Sequence, residues 1–271
     1  MPDDAGLIRQ NFICNLMADV MGPENHDQCA PGPAVGSPRK STSMTELRIL
    51  AGGGIAAPMR DMAPRFERAT GHRLELFFGT TPELIVEATS GTTFDAAVTP
   101  REVFADATAR AQFRTTPLTE IARVGLGLAV RAGAVKPDIA TPDALKEALL
   151  GAESLATIPA SAAGMQIMRL FDRLGIRDAM AAKTRVKKAP ADVVQAVASG
   201  ETEFGMFLAN VFKSPGVELV TPFPAELQQE VVFVASVTAN TAHSDAAEAF
   251  ITYLGSPDAA ALIRERGMVP A

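Results

Sequence analysis

The stretch LRILAGGGIAAPMRDMAPRFERATGHRLELFFGTTPELIVEATSGTTFDAAVTP, residues 47–100, alternates short β-rich runs with longer amphipathic runs. Residues 47–52, 73–78 and 94–99 predict strands, and residues 82–89 predict a helix. Between the first two strands, apolar residues recur at the spacing of an amphipathic helix that ends at Gly71: Ile55, Met59, Met62, Phe66 and Ala69. This alternation is typical of βα units around a largely parallel sheet.

The same alternation continues downstream, after an extended segment at 117–131 that is predicted to cross between two lobes. Helices are predicted at 141–150, 161–175 and 191–200, with strands at 154–158, 184–189, 203–209, 217–223 and 230–238 and two helices at the C-terminus. We therefore predict an α/β fold of two Rossmann-like lobes with a ligand cleft between them. Lobe 1 is predicted to comprise residues 45–125 and 231–271, and lobe 2 residues 126–230.

Residues 1–43 differ in composition from the rest of the chain. They contain five prolines and both cysteines, and their last part is dominated by turn-forming residues. We predict a disordered N-terminal extension. Because no cysteine follows Met44, the body of the chain has no disulfide framework and no cysteine-based metal site, and we expect no metal and no cofactor.

The composition excludes several classes of function. With 25 Lys and Arg against 31 Asp and Glu, the net charge of −6 argues against nucleic-acid binding. No run approaches the roughly 20 apolar residues of a membrane-spanning helix, so we expect no membrane insertion. Polar residues interrupt the segment 7–20, which makes it a poor secretion signal. We expect a monomer that is cytoplasmic as written, or periplasmic if the true N-terminus differs.

Three loops between a predicted strand and a predicted helix offer free backbone N–H groups and almost no charge: 52–54, 79–81 and 159–164. Such loops bind ligands in α/β proteins because helix N-termini point outward there. Any one of them is also explained as a tight turn, but three together indicate a site for a small anion. The hydroxyls of Thr80, Thr81 and Ser161 are suited to cap a helix, to contact the ligand, or to do both.

Charged and catalytic residues are less informative. Arg101 and Arg123 are suited to neutralise a carboxylate, or to form surface ion pairs. No motif links a histidine to a nucleophile or a metal, and we expect His26, His72 and His243 to be exposed to solvent. Catalytic residues therefore remain unassigned.

The chain resembles the molybdate-type periplasmic solute-binding proteins. The resemblance rests on residues 47–100, on PDALKEALLGAESLATIPASAAGMQIMRLFDRLGI (142–176) and on FITYLGSPDAAALIRERGMVPA (250–271). It implies a type II binding-protein fold, in which two α/β lobes close over an oxyanion held by backbone N–H groups and hydroxyls.

The resemblance also implies positions for the ligand contacts. Gly54 and Thr81 stand where the family has serines, Leu208 stands where a tyrosine is common, and Ala162 and Val193 lie in matching second-lobe segments. Losing two hydroxyl donors argues against molybdate as the ligand. The residues predicted to bind the ligand are Gly53, Gly54, Ile55, Thr80, Thr81, Thr99, Arg101, Ser161, Ala162, Val193 and Leu208.

Two functions are consistent with this resemblance. The first is a solute-binding protein that captures a small anion, an organic carboxylate or an oxyanion, with hinges near residues 123–127 and 222–232 and an ABC transporter as partner if the chain is secreted. The second is a cytosolic isomerase of an unsaturated polycarboxylate. PGVELVTPFPAELQQEVVFVASVTA (215–239) is similar to a branch of the same superfamily, and the fold includes the aconitate isomerases. Glu83 lies near the loops, but no residue stands out as the catalytic base.

Overall fold

The computed structural model of the protein describes residues 44–114 and 118–271. Its strands are β1 (Glu46–Gly52), β2 (Arg73–Gly79), β3 (Ala96–Pro100), β4 (Thr119–Arg131), β5 (Leu155–Thr157), β6 (Thr184–Val186), β7 (Phe204–Leu208), β8 (Val217–Val220), β9 (Glu230–Val237) and β10 (Val269–Pro270). Its α-helices are α1 (Ala56–Thr70), α2 (Thr81–Thr89), α3 (Ala107–Arg110), α4 (Pro142–Gly151), α5 (Ala162–Leu174), α6 (Arg177–Lys183), α7 (Pro190–Ser199), α8 (Ser244–Leu254) and α9 (Pro257–Glu265). The predicted N-terminal extension, residues 1–43, lies outside the described residues.

The strands are hydrogen-bonded in the order β2-β1-β3-β9-β4-β7-β5-β6, with β8 and β10 also paired to β4. In the first lobe, β1 lies between β2 and β3, and all three are parallel. In the second lobe, β5 lies between β6 and β7, again in parallel. The chain thus forms two α/β lobes of Rossmann type with a cleft between them, as predicted.

Strand β4 belongs to both lobes. Its first half, up to Gly125, pairs with β9, and from Leu126 onward it pairs with β7 and β8. The side chain of Gln228 lies at this change of partner, where it accepts a hydrogen bond from the Leu126 N–H at 2.8 Å and donates one to the Leu126 carbonyl at 3.1 Å. The predicted hinge segments and lobe boundaries meet here, and they stay predictions.

The β1–α1–β2 unit forms as its sequence pattern predicts. Met59, Met62 and Phe66 lie on the buried face of α1. The helix ends at Gly71, whose φ of 77° is a left-handed conformation that favours glycine. Ala69, predicted on the apolar face, is exposed because it lies in the last turn, beyond the packed part of the helix.

One prediction about the fold is wrong, and three short elements were not predicted. The sheet is mixed rather than largely parallel, because β9 returns from the second lobe to the first and lies antiparallel between β3 and β4. Helices α3 and α6 and strand β10 have no counterpart among the elements predicted from the sequence. Helices α3 and α6 are short and have one buried residue each, Ala109 and Met180, so their apolar patterns are too brief to stand out.

Aromatic packing anchors the first lobe on both faces of its sheet. On one face Phe66 of α1 contacts Phe250 of α8 edge-to-face, with ring centroids 5.2 Å apart. On the other face Phe104 and Phe113 pack edge-to-face at 5.4 Å. No helix in residues 44–114 or 118–271 combines the length and the apolar character that crossing a membrane requires.

Candidate functional site

A narrow cavity lies between the lobes, at the carboxyl ends of β1 and β2 in the first lobe and of β5, β6 and β7 in the second. Most of its lining residues lie at or just after strand ends, and two belong to β9. The lining residues are Gly53, Gly54, Gly79, Thr80, Thr81, Pro100, Ser161, Ala162, Ala163, Pro190, Phe207, Leu208, Val231 and Phe233. We call this space the inner cavity. It is the position where α/β folds commonly bind ligands.

Four helices begin at the inner cavity. Helix α1 follows the turn Gly53–Ile55, α2 begins after Thr80, α5 begins after Ser161 and α7 begins with Pro190. A helix N-terminus carries a partial positive charge, and its first backbone N–H groups have no partner within the helix. None of the lining residues carries a charged side chain. The electrostatic character of the cavity therefore comes from backbone dipoles, and it favours an anion.

Two of the predicted hydroxyls are committed to the protein itself. The Ser161 hydroxyl accepts a hydrogen bond from the Gly164 N–H at 3.0 Å and donates to the Ile158 carbonyl at 2.8 Å. The Thr80 hydroxyl donates to Oε2 of Glu83 at 2.8 Å, and the Thr80 N–H donates to the same oxygen. These bonds fix the first turns of α5 and α2.

The third hydroxyl joins the two lobes. The N–H of Ala162, at the start of α5, donates to Oγ1 of Thr81, at the start of α2, over 2.9 Å. Both residues are buried. The threonine oxygen thereby accepts the hydrogen bond of one N–H group that an anion would otherwise use at the α5 N-terminus. A second bond between the lobes runs from Nδ2 of Asn210 to the carbonyl of Gly54, over 2.8 Å.

These contacts hold the cleft closed in the structure. The inner cavity has a volume of about 20 Å³. A single water molecule needs about 10–15 Å³ of such space. A ligand larger than one or two waters therefore fits the inner cavity only when the lobes move apart.

One wall of the inner cavity is apolar. Leu208 of β7 and Phe233 of β9 are buried there and face the glycine loop after β1. A Cβ on Gly54 would lie 2.4 Å from Cδ1 of Leu208, so the leucine fills the space that a side chain at residue 54 would need. The cavity is consequently amphipathic, with N–H donors on one side and hydrocarbon on the other.

Several predicted site residues line this cavity, and others lie elsewhere. Gly53, Gly54, Thr80, Thr81, Ser161, Ala162 and Leu208 line it. Ile55 and Val193 are fully buried beneath the first turns of α1 and α7. Thr99 is fully buried within β3, next to the lining residue Pro100. Arg101 is exposed and forms an ion pair with Glu120 at 3.1 Å.

No described histidine lines the inner cavity. His72, expected to be exposed, is instead buried and stacked on Phe66 with ring centroids 6.3 Å apart. His243 is half-exposed, and its Nδ1 lies 3.1 Å from Oδ1 of Asp95. His26 lies outside the described residues. The expectation for His72 was wrong because the left-handed turn at Gly71 places its side chain against Phe66 rather than in solvent.

A wider cleft of about 680 Å³ shares several lining residues with the inner cavity. The shared residues are Gly53, Gly54, Gly79, Thr80 and Pro190. Unlike the inner cavity, the wider cleft has charged walls: Arg60, Lys188, Lys213, Arg266 and Glu83. Arg266 forms two hydrogen bonds with the carboxylate of Asp61, which raises the pKa of the guanidinium above its ordinary value.

The apolar wall and the charged walls were not predicted from the sequence. Phe233 and Val231 lie on a strand whose apolar run reads as ordinary core. Arg60 and Lys188 lie at exposed positions of separate βα units, and no local pattern relates them. Pro190 did carry a signal, since a proline at the first position of a helix marks an N-terminus.

Comparisons with known proteins agree with this geometry. Residues 47–269 match the sequence model of a family described as bacterial extracellular solute-binding protein. The aconitate isomerase of Pseudomonas sp. is 32% identical to this chain over 235 residues, which cover 84% of this chain and 88% of that protein. The molybdate-binding protein ModA of Azotobacter vinelandii is 25% identical over 232 residues, which cover 82% of this chain and 89% of that protein.

The periplasmic molybdate-binding protein of Azotobacter vinelandii also superposes on this structure. The TM-score is 0.70 at 19% identity, over 82% of this chain and 98% of that chain. This likeness shows the two-lobe fold of the type II periplasmic binding proteins, which confirms the resemblance found in the sequence. The chain belongs to the bacterial extracellular solute-binding protein family.

Proposed function

We propose that this protein captures a small organic carboxylate in the cleft between its lobes. The observation that carries the proposal is the convergence of four helix N-termini on a cavity whose lining has no charged side chain and whose opposite wall is apolar. Membership of a solute-binding family, with relatives named for molybdate binding, supports anion binding in general.

The shape of the cavity favours a carboxylate over a tetrahedral oxyanion. A tetrahedral anion presents oxygens in all directions, so it needs donors on every side, and unpaired oxygens against hydrocarbon are costly. A carboxylate has its oxygens at one end and carbon at the other. Leu208 and Phe233 provide a surface for the carbon end, while the helix-starting loops at Gly54 and Ala162 line the cavity from the two lobes.

Isothermal titration calorimetry tests this proposal directly. The panel contains molybdate, tungstate, sulfate and phosphate on one side, and mono-, di- and tricarboxylates on the other. We expect heat and a thermal stabilisation with carboxylates, and weaker or no response with tetrahedral anions. Absence of any response across the carboxylates would overturn the proposal, and a response to tetrahedral anions alone would return the site to an oxyanion-binding role.

A matched pair of variants at Pro190, which lines both the inner cavity and the wider cleft, tests whether the ligand binds between the lobes. Pro190 lies at the first position of α7, where Asp is well tolerated because of the helix dipole. Pro190→Asp adds a negative charge to the cavity and should weaken carboxylate binding by at least about tenfold. Pro190→Asn makes the same change in backbone freedom without the charge. Equal effects of the two variants would place the ligand elsewhere.

A second function, isomerisation of an unsaturated polycarboxylate, is favoured by the relative that is named an aconitate isomerase. Moving a double bond requires a group that removes a proton from carbon and returns it. In this chain, Glu83 and Lys188 are ionisable groups on opposite lobes of the wider cleft. Either function uses the same anion-binding cleft.

Proton NMR in D₂O distinguishes the two functions. cis-Aconitate and trans-aconitate are incubated separately with the protein, and deuterium incorporation and isomer conversion are followed. Conversion that requires the protein and is lost in Pro190→Asp establishes the enzyme. Binding without conversion favours capture for transport, and fractionation of the native cells then tests whether the protein is periplasmic, as transport requires, or cytoplasmic.

A further inference from the structure

The wider cleft brings cationic side chains together from both lobes. Arg60 lies on α1 and Arg266 follows α9, both in the first lobe. Lys188 precedes α7 and Lys213 follows β7, both in the second lobe. Glu83 is the one carboxylate among the residues that line this cleft. Closing the lobes therefore gathers positive charge in one place.

Two of the four cations already have partners. Arg266 is held by both carboxylate oxygens of Asp61. Lys213 packs its stem against Gly267 and points Nζ toward the carbonyl of Glu265 at 3.4 Å. These two side chains tie the C-terminal segment to its surroundings, so they are less available for a ligand.

The other two cations have no such partner. Within residues 44–114 and 118–271, neither Arg60 nor Lys188 forms an ion pair or a side-chain hydrogen bond. The guanidinium of Arg60 lies over the ring of Phe78, 4.7 Å from its centroid. This stacking orients the guanidinium without using its N–H donors. Lys188 lies immediately before the N-terminus of α7, whose dipole adds to its positive potential.

We propose that Arg60 and Lys188 form a second anion subsite, which binds a further carboxylate of the same ligand. This inference rests on the proposed function, in which one carboxylate binds at the inner cavity. The ligand is then a di- or tricarboxylate that extends from the inner cavity into the wider cleft, whose volume is in the range of known ligand sites. An acidic group between Arg60 and Lys188 also relieves the repulsion between these charges, which come from opposite lobes, and so favours closure.

The test uses three acids with a similar carbon chain and increasing charge: butyrate, glutarate and propane-1,2,3-tricarboxylate. Their affinities for the wild-type protein are measured by calorimetry at low salt, with ligand-detected NMR for weak binding. We expect the tricarboxylate to bind at least about tenfold more tightly than butyrate, because a charge-assisted hydrogen bond is added. The preference should shrink at high salt.

The double variant Arg60→Gln, Lys188→Gln keeps most of the side-chain bulk and removes both charges. We expect it to bind the tricarboxylate at least about tenfold more weakly and to bind butyrate within about twofold of wild type. Arg185→Gln is the control, because it removes one charge from an exposed position of β6 that does not line the cleft.

The outcomes separate the two proposals. Butyrate binding with no preference for added carboxylates, or a preference that survives in the double variant, would overturn the second subsite alone. Binding of none of the three acids by the wild type would overturn both proposals. If Arg185→Gln lost as much tricarboxylate affinity as the double variant, the effect would come from the general surface charge. That result would also overturn the subsite.

Discussion

Gly54 and Leu208 share one volume between the two lobes. A Cβ built on Gly54 would lie 2.4 Å from Cδ1 of Leu208 and 3.0 Å from Cζ of Phe233. Gly54 belongs to the loop after β1 in the first lobe, and Leu208 ends β7 in the second. The missing side chain at residue 54 therefore allows the leucine of the other lobe to form the apolar wall of the inner cavity.

This relationship predicts non-additive effects of mutation. Gly54→Ala should lower the free energy of unfolding by about 1–3 kcal/mol through overpacking, and Leu208→Ala should lower it by about 2–5 kcal/mol through the cavity it creates. In the double variant the new methyl group enters the space that the leucine vacates. The double variant should therefore lose less free energy of unfolding than the sum of the two single variants, by at least about 1 kcal/mol in urea unfolding. Additive losses would contradict the shared volume.

The hydrogen bond between Ala162 and Thr81 predicts a ligand-dependent stability effect. Thr81→Val keeps the shape but leaves the buried Ala162 N–H without its acceptor, which should cost about 1–3 kcal/mol in the unliganded protein. A bound carboxylate supplies an acceptor, so the cost should be smaller at saturating ligand. Thr81→Ser keeps the hydroxyl and should behave like wild type in both conditions. The same loss with and without ligand would contradict this role.

Gly164 predicts a strict steric requirement at the start of α5. A Cβ there would lie 1.9 Å from the carbonyl oxygen of Ile158, which is backbone and is also held by the Ser161 hydroxyl. Gly164→Ala should lower the free energy of unfolding by about 3 kcal/mol and should weaken carboxylate binding, because the α5 N-terminus must move.

Gly151 provides the matched control for Gly164. It lies at the end of α4, and a Cβ there would meet nothing within 4 Å. Gly151→Ala should be neutral or stabilising by up to about 1 kcal/mol, and ligand binding should be unchanged. A similar loss of stability in both variants, measured by chemical denaturation, would show that the crowding at Gly164 is not the cause.

Tyr253 predicts a pH dependence at alkaline pH. Burial, followed by its hydrogen bond to Asp258, raises the pKa of Tyr253 from 10.0 to about 12. Because the folded-state pKa lies above the unfolded value, the contribution to stability is complete below pH 10.0 and is lost as the pH rises through about 12. Tyr253→Phe should remove this component of the pH dependence of unfolding.

The titration can be observed directly because Tyr253 is the only tyrosine and the chain has no tryptophan. Phenolate absorbance after a rapid pH jump should give a midpoint near 12 in the native protein and near 10.0 in denaturant. Asp258→Asn should lower the native midpoint but leave it above the ordinary value, since burial is the larger cause. A native midpoint equal to the denatured one would contradict the partly buried, hydrogen-bonded phenol.

The β1–α1–β2 unit illustrates how much of the fold is local. Met59, Met62 and Phe66 repeat at helical spacing and Gly71 ends the helix, so the unit is readable from a window of neighbouring residues. The position of β9 is not readable in this way. Its apolar run fits any central strand, and its antiparallel place between β3 and β4 depends on how the chain returns from the second lobe.

In the inner cavity, too, some residues were predictable from their neighbours in the sequence and others were not. The loops that carry Gly53, Thr80 and Ser161 were predictable because glycines and helix caps leave local signals. Thr99 and Arg101 were predicted from their place at the end of a strand, yet Thr99 is fully buried outside the cavity lining and Arg101 pairs with Glu120 at the surface. A strand end limits where a side chain begins and does not determine which way it faces.

The longer strands and helices, the two-lobe α/β class and the anion-favouring loops follow from the residue pattern, because hydrophobic periodicity and capping act between near neighbours. The apolar wall at Leu208, the bond from Ala162 to Thr81 and the pairing of Arg60 with Lys188 in one cleft follow only from the folded chain. Their partners are separated by many residues, and closure of the lobes brings them together through contacts that no local sequence pattern encodes.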